Sequence, residues 1–284
     1  MKTGNKKPLR FDTQKNVRST RLKRFAAAFS CFFVLLAGLS VLLLLSFYDF
    51  NLSAIGNPNA DELTTEETTV KPVPEVTGQS NYLLICTADS SNAVYFAAIL
   101  SADMDNSVLT LHPVSTTRIV SASGCTGTLE QQLDYGGEQQ LVTAIENACE
   151  IEIDKYIRST DNGFKNIISA VGGFETTVDK AIDVRNDSLT AIISAGKQTM
   201  TGDTTLKYIR VYEDNPLKQA DIISQLFQQK LTPYYFDNAD NYYTKIVNLT
   251  KSDISVLDFA QIKNGINALL NSESGVEIRI GAVK

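Results

Sequence analysis

The sequence predicts an α/β layered domain held outside a membrane by a single N-terminal span, and three observations carry that prediction. Compact apolar runs of strand length alternate with segments of helical periodicity across residues 80–284. Residues 25–48 contain no charge, proline, asparagine or glutamine. A basic stretch precedes them and a polar, proline-containing stretch follows. Interleaved strands and helices stack as layers, because each has an apolar side to bury against another.

Residues 25–48 suffice to cross ~30 Å of hydrocarbon at ~1.5 Å rise per residue. A cleaved secretory signal has an apolar stretch about half as long, ending at a small-residue cleavage site. No convincing site of that kind follows, so the sequence predicts a retained anchor. Residues 1–24 hold nine lysines and arginines against the single acid Asp12. The positive-inside rule then keeps residues 1–24 in the cytoplasm and exports the rest of a single-pass membrane protein.

The whole chain carries −6 and residues 1–24 carry +8, which leaves −14 on residues 25–284. So acidic an exported part is a poor nucleic-acid binder, since phosphate contact needs lysine and arginine. Of four cysteines, Cys31 falls in the span and Cys86, Cys125 and Cys149 outside it. That odd number argues against a disulfide-built scaffold. A Cys125–Cys149 bridge and separate buried thiols both remain open. Without a CxxC, and with one histidine, the chain has no recognisable zinc site.

Residues 49–79 are rich in Thr, Glu, Asp and Asn, contain Pro58, Pro72 and Pro74, and read as an extended tether. Within residues 80–284, three apolar runs read as strands: 81–86, 94–100 and 108–111, the last entered through a turn at 103–106. Residues 124–127 read as a loop. Leu141, Val142, Ile145, Ala148 and Cys149 share one helical face. Residues 151–157 read as a strand. Asp161 caps a helix with an inner face of Phe164, Ile167, Ile168 and Val171, stopped by Gly172 and Gly173. Residues 174–184 read as extended with an internal turn. Residues 201–212, 217–231 and 256–270 read as helices, the last with a capping-box pattern at Ser255 and Asp258. Residues 275–283 read as a closing strand.

Common catalytic signatures are missing: no phosphate-binding loop, dinucleotide fingerprint, nucleophile elbow or zinc-protease motif is present. His112 sits at a strand end before Pro113 with no acid or nucleophile at a recognisable spacing, and reads as structural. The acid pairs Asp103/Asp105 and Glu213/Asp214 suit a hard cation in principle, but read as solvated loop charges.

The order of several short motifs is more specific than any one of them. Tyr135-Gly-Gly-Glu138 precedes an amphipathic helix, followed by residues 151–157, Gly163-Phe164-Lys165 and Val171-Gly-Gly-Phe174. Gly196-Lys197-Gln198 through Gly202 then leads to Leu206-Lys-Tyr208-Ile-Arg210. With the opening strand and the predicted topology, this series resembles the LytR-CpsA-Psr family of bacterial cell-envelope proteins over about residues 81–270. The resemblance implies a mixed central β-sheet flanked by helices, with an apolar tunnel for a lipid tail. It also implies transfer of a glycopolymer from a polyprenyl-diphosphate carrier to peptidoglycan, with arginines on the diphosphate and aspartates holding Mg2+. Planar cations and a metal would spread the charge of such a leaving group.

Several family positions differ here. Asn92 stands where the family has an aspartate opening the second strand; its carbonyl can ligate a cation but brings no charge. Val114 and Ser115 replace an arginine and an aspartate after the third strand, with Arg118 nearby as a substitute cation. Arg210 matches one family arginine, whereas Tyr212, Asp221 and Ser224 replace three others. The implied substrate contacts therefore reduce to Arg210 as the catalytic candidate, with Arg118, Lys197, Asn92 and Ser115 beside it. The missing aspartates argue against Mg2+. Losing several charge-stabilising donors at once cripples turnover. Three readings follow: a transferase with a rearranged site, a relative that binds an envelope lipid or polymer or a partner enzyme, and a structural interaction module. The aromatic residues Tyr234, Tyr235, Phe236, Tyr242 and Tyr243 suit a sugar or lipid surface and equally suit core packing.

Overall fold

The computed structural model describes residues 77–272 and 275–284. The expected tail, the span at 25–48 and the tether up to residue 76 lie outside them. Among the described residues no helix is long and apolar enough to cross a membrane.

A mixed six-stranded sheet forms the centre. Strands β1 (Gln79–Thr87), β2 (Val94–Asp103) and β3 (Val108–Val114) make an antiparallel meander. Strand β6 (Lys155–Thr160) joins β1 in parallel, and β11 (Thr250–Ser252) pairs with β6 antiparallel. Strand β12 (Glu277–Ile280) adds to β3 in parallel at the other edge, giving the order β11-β6-β1-β2-β3-β12. The central strands are nearly continuous in apolar residues because both faces are covered. Leu83, Ile85, Ala97 and Ile99 face helix α1 (Leu129–Cys149). Cys86, Phe96, Ala98 and Leu111 face α2 (Asp161–Ala170), α3 (Gly202–Val211) and α4 (Pro216–Lys230).

The helices predicted at 201–212, 217–231 and 256–270 correspond to α3, α4 and α7 (Val256–Leu270), the last with both halves of its capping box formed. Short helices α5 (Pro233–Asp237) and α6 (Ala239–Val247) precede α7. Three expectations change. The strand expected at 151–157 begins only at Lys155, where pairing with Tyr82 of β1 sets its register. The backbone N–H groups of Ile153 and Asp154 are instead taken by the Glu146 carboxylate and the Asn81 carbonyl. The cap of α2 is Thr160, whose hydroxyl accepts from Gly163 N, and Asp161 sits in the first turn. The loop expected at 124–127 belongs to a hairpin of β4 (Val120–Ala122) and β5 (Cys125–Gly127). Positive φ at both Ser123 and Gly124 gives the turn the twist that tight hairpins need.

Strands β7 (Phe174–Val178) and β10 (Gly196–Met200) pair with each other, as do β8 (Ile182–Arg185) and β9 (Thr190–Ile193). Cys86, Cys125 and Cys149 are all free thiols, so the Cys125–Cys149 bridge is not formed. His112 has a buried Nδ1 with no hydrogen-bond partner, and burial lowers its pKa. The tyrosines of α5 and α6 stay out of the core: Tyr243 stacks on Phe259 of α7 at 3.8 Å, and Tyr234 remains exposed.

Candidate functional site

A densely connected polar group lies where β1 and β6 end side by side. Arg158 of β6 sits opposite Ile85 of β1, two residues before both strands stop. Its Nε donates to Thr87 Oγ1 at 3.2 Å, one Nη to Glu138 Oε1 at 2.8 Å, and the other Nη to Asn92 Oδ1 at 2.6 Å. Lys251 Nζ takes the second Glu138 oxygen at 2.7 Å. Asn92 Nδ2 donates to Asp134 Oδ1 at 2.7 Å.

Local sequence explains how these residues meet. A run of two glycines breaks α1: Gly136 has φ −150° and Gly137 φ +71°, a value few other residues adopt. Glu138 is the first residue past that kink and is 7 % exposed. Burial pushes its pKa up, but hydrogen bonds from Lys251 and Arg158 outweigh burial and hold it below the usual range. In open α/β sheets the crevice outside the carboxyl ends of the strands is the common ligand position.

Two clefts flank Arg158. One, of about 510 Å3, is lined by the amides of Asn162, Asn166 and Asn248 and by Thr160, Thr250 and Lys251. At its floor, a Cβ on Gly163 would collide with the Leu249 carbonyl, so glycine permits the close approach of α2 to the strand β11 entry. The other, of about 430 Å3, is lined by Asp89, Glu130, Asp134, Ser91 and Asn92. The backbone N–H of Asn162 donates to Asp89 and holds that carboxyl below its ordinary value.

Arg210 lies on the opposite face of the sheet from α1, in the last turn of α3. Gly202 lets that helix start directly against the Lys165 carbonyl of α2. The guanidinium carbon lies 4.5 Å over the Tyr95 ring, and an Nη donates to the Ser188 carbonyl at 2.8 Å. Tyr95 is the extra residue of a bulge between the Cys86–Phe96 and Thr87–Val94 pairs, a device that redirects a side chain. Asp161 and Glu213 interact with Arg210, and in both burial raises the carboxyl pKa while Arg210 pulls it down. Asp161 Oδ1 is buried without a hydrogen-bond partner.

The other expected residues go elsewhere. Arg118 donates to the Ala148 carbonyl at 2.8 Å, answering one of the orphan carbonyls at the end of α1. Lys197 pairs with Glu175 at 2.7 Å across β10 and β7. Ser115 Oγ is within 3.1 Å of Thr117 Oγ1. Arg118, Lys197 and Arg210 thus each answer a different partner. Asp221 accepts from Gln225 within α4.

The donor set does not fit the Mg2+ that the resemblance implies. Asn92 Oδ1 is already held by a guanidinium, and two unit charges of like sign ~4 Å apart repel by about 4 kcal/mol at a surface-like dielectric. Among the described residues no group of three or more His, Cys, Asp or Glu is placed to hold a metal. Arg158 and Lys251 were absent from the sequence reading, and Glu138 entered it only as part of the Tyr135-Gly-Gly-Glu138 motif, with no site role. The available signal was a charged residue inside a strand-like run, Ile157-Arg158-Ser159, which needs buried partners of opposite charge.

The profile of the LytR_cpsA_psr family matches residues 105–278. The chain is 29 % identical over 140 residues to the polyisoprenyl-teichoic acid–peptidoglycan teichoic acid transferase TagV of Bacillus subtilis (strain 168), covering 47 % of this chain and 32 % of that protein. It is 24 % identical over 209 residues to the corresponding transferase TagU of Bacillus mycoides (strain KBAB4), covering 69 % and 62 %. It therefore spans less than two thirds of the length of these relatives. The crystal structure of B. subtilis TagV superposes with a TM-score of 0.60 at 18 % identity, covering 72 % of this chain and 85 % of that one. A structure described as a putative transcription regulator from Eubacterium siraeum DSM 15702 superposes at 0.64 and 19 % identity, covering 80 % and 90 %. These superpositions show a shared fold.

Proposed function

Because this chain belongs to the LytR-CpsA-Psr family, we propose that it is a membrane-anchored envelope protein that binds a polyprenyl-linked glycopolymer or its peptidoglycan acceptor and holds it rather than transferring it. The observation carrying this reading is the cleft beside Arg158. Its lining offers amide groups with spare hydrogen-bonding capacity: Asn162 and Asn248 each use only the Nδ2 donor, to Asp89 and the Thr244 carbonyl. Neutral donors and acceptors presented together suit the hydroxyl groups of sugars. The relatives named as teichoic acid transferases support the polymer as the ligand class. Residues 25–48 supply the proposed span, with residues 1–24 in the cytoplasm and the described domain outside.

One observation favours transfer as a second reading. Arg210, which the resemblance matches to a family arginine, lies beside Asp161, whose raised pKa and unpartnered oxygen suit proton movement. Against it, the expected Arg118 and Lys197 do not converge on Arg210.

The full chain in detergent would be titrated with an N-acetylglucosamine tetramer and, separately, with a polyprenyl diphosphate. Asn166→Ala and Arg210→Ala variants would be run alongside. Saturable tetramer binding weakened by Asn166→Ala but not by Arg210→Ala is the expected result. No saturable binding of either probe would remove the reading, and diphosphate binding that depends on Arg210 would favour transfer.

A further inference from the structure

We propose that the guanidinium of Arg158 is a resident cation standing where the family resemblance would place a divalent metal, so that the acid-lined cleft at Asn92 takes none. The proposal is independent of what fills the amide-lined cleft.

Geometry carries it. Asn92 lies two residues before β2, and its side-chain oxygen is the atom that would reach a metal there. That oxygen accepts from an Arg158 Nη at 2.6 Å. A magnesium ion on the same oxygen would sit at ~2.1 Å from it, and so less than ~5 Å from the nitrogen. The guanidinium cannot swing aside cheaply: Thr87 holds its Nε at 3.2 Å and Glu138 the other Nη at 2.8 Å. Arg158 and Glu138 are only 15 % and 8 % exposed at their side chains, so solvent does little to screen them. The amide of Asn92 is also oriented by Asp134, which accepts from Nδ2 at 2.7 Å and so fixes the oxygen toward Arg158.

The charge balance agrees. Asp89, Glu130 and Asp134 line the cleft and would attract a cation. Arg158 supplies one covalently. Glu138 is shared between Arg158 and Lys251, at 2.8 and 2.7 Å, so these three residues keep one net positive charge. A metal site can be emptied or filled with a different ion, whereas a guanidinium in the strand is always charged and always present.

Manganese is the probe, followed by electron paramagnetic resonance of free Mn2+ with the full chain in detergent. Wild type is expected to leave Mn2+ free, and so is Asn92→Asp, where Arg158 keeps its grip on one carboxylate oxygen although the other, no longer a donor, faces Asp134. The double variant Asn92→Asp/Arg158→Met frees the carboxylate and should bind Mn2+ at least about ten-fold more tightly than wild type. Circular dichroism establishes that each variant is folded, and Asn92→Asp, nearly isosteric, keeps the test available if the double variant unfolds. Mn2+ binding by wild type or Asn92→Asp that disappears on Asp134→Asn would overturn the proposal. So would a folded double variant with no gain.

Discussion

Arg158 and Glu138 form the one ion pair among the described residues in which both side chains are less than a fifth exposed. One partner comes from the strand β6 and the other from the residue after the α1 kink, so the pair fastens a helix to the end of the sheet. Removing Glu138 leaves the guanidinium in a poorly solvated place with one bond fewer. Glu138→Ala should cost about 2–3 kcal/mol, near the lower end for a buried pair. Urea denaturation would measure it. In a double-mutant cycle with Arg158→Met much of the loss should be recovered, and strict additivity would show that the two residues are not coupled.

The same carboxylate sets an acid limit. Its folded pKa lies below the ordinary 4.5, so its contribution to stability is present above that value and is lost as pH falls through the folded value. Glu138→Gln should flatten the acid side of the stability profile between about pH 5 and pH 3. An unchanged slope in urea midpoints across that window would contradict this.

At Arg210 the sign is reversed. Burial keeps the Asp161 and Glu213 carboxyls raised, a penalty at neutral pH that is relieved as pH falls through their folded values. Arg210 opposes the rise in both. Arg210→Met should therefore push both carboxyls further up, which carbon-detected NMR titration can follow. Titration curves that do not move would mean that Arg210 does not feel these acids.

The floor of the amide-lined cleft is sterically fixed. Gly163→Ala forces a methyl against the Leu249 carbonyl, and a backbone atom cannot rotate away. A loss of about 1–3 kcal/mol is expected, together with weaker tetramer binding. Wild-type stability in the variant would show that α2 and the β11 entry move apart freely.

Thiol chemistry should rank by burial. Cys86 is 1 % exposed and burial pushes its thiol up to about 12; Cys149 is also buried and raised for the same reason. Cys125 is partly exposed. Alkylation of the native chain at pH 8, mapped by mass spectrometry, should modify Cys125 well before the other two. Comparable rates at Cys86 would sink this ranking.

Where structure depends on neighbours in sequence, the sequence was legible. Ser255 and Asp258 are three residues apart and their capping box is formed in α7. Leu141, Val142, Ile145 and Cys149 are buried on one face of α1, as the periodicity requires. Long-range constraints were not legible. Residues 151–154 have strand composition, yet the side chain of Glu146 and the backbone of Asn81 compete for their amides. Arg158 reaches Thr87, Asn92 and Glu138, none of them near it in the chain, and no spacing rule connects such positions. At Arg210 the position was legible from the resemblance, but its partners Tyr95 and Ser188 were not, because a bulge and a hairpin bring them there.

The parallel pairings at both sides of the meander also bear on how the chain acquires its shape. Strands β1, β2 and β3 are joined by short turns, whereas Lys155 must find Tyr82 across about a third of the domain and Glu277 must find Val108 across most of it. Closing such distant loops is entropically slow, so the hairpins should gain amide protection early and the outer strands late in pulse-labelled refolding. Until β6 arrives, the Arg158 guanidinium has none of its partners, and the clefts on either side of it do not yet exist. Whatever ligand uses them meets only a fully assembled sheet.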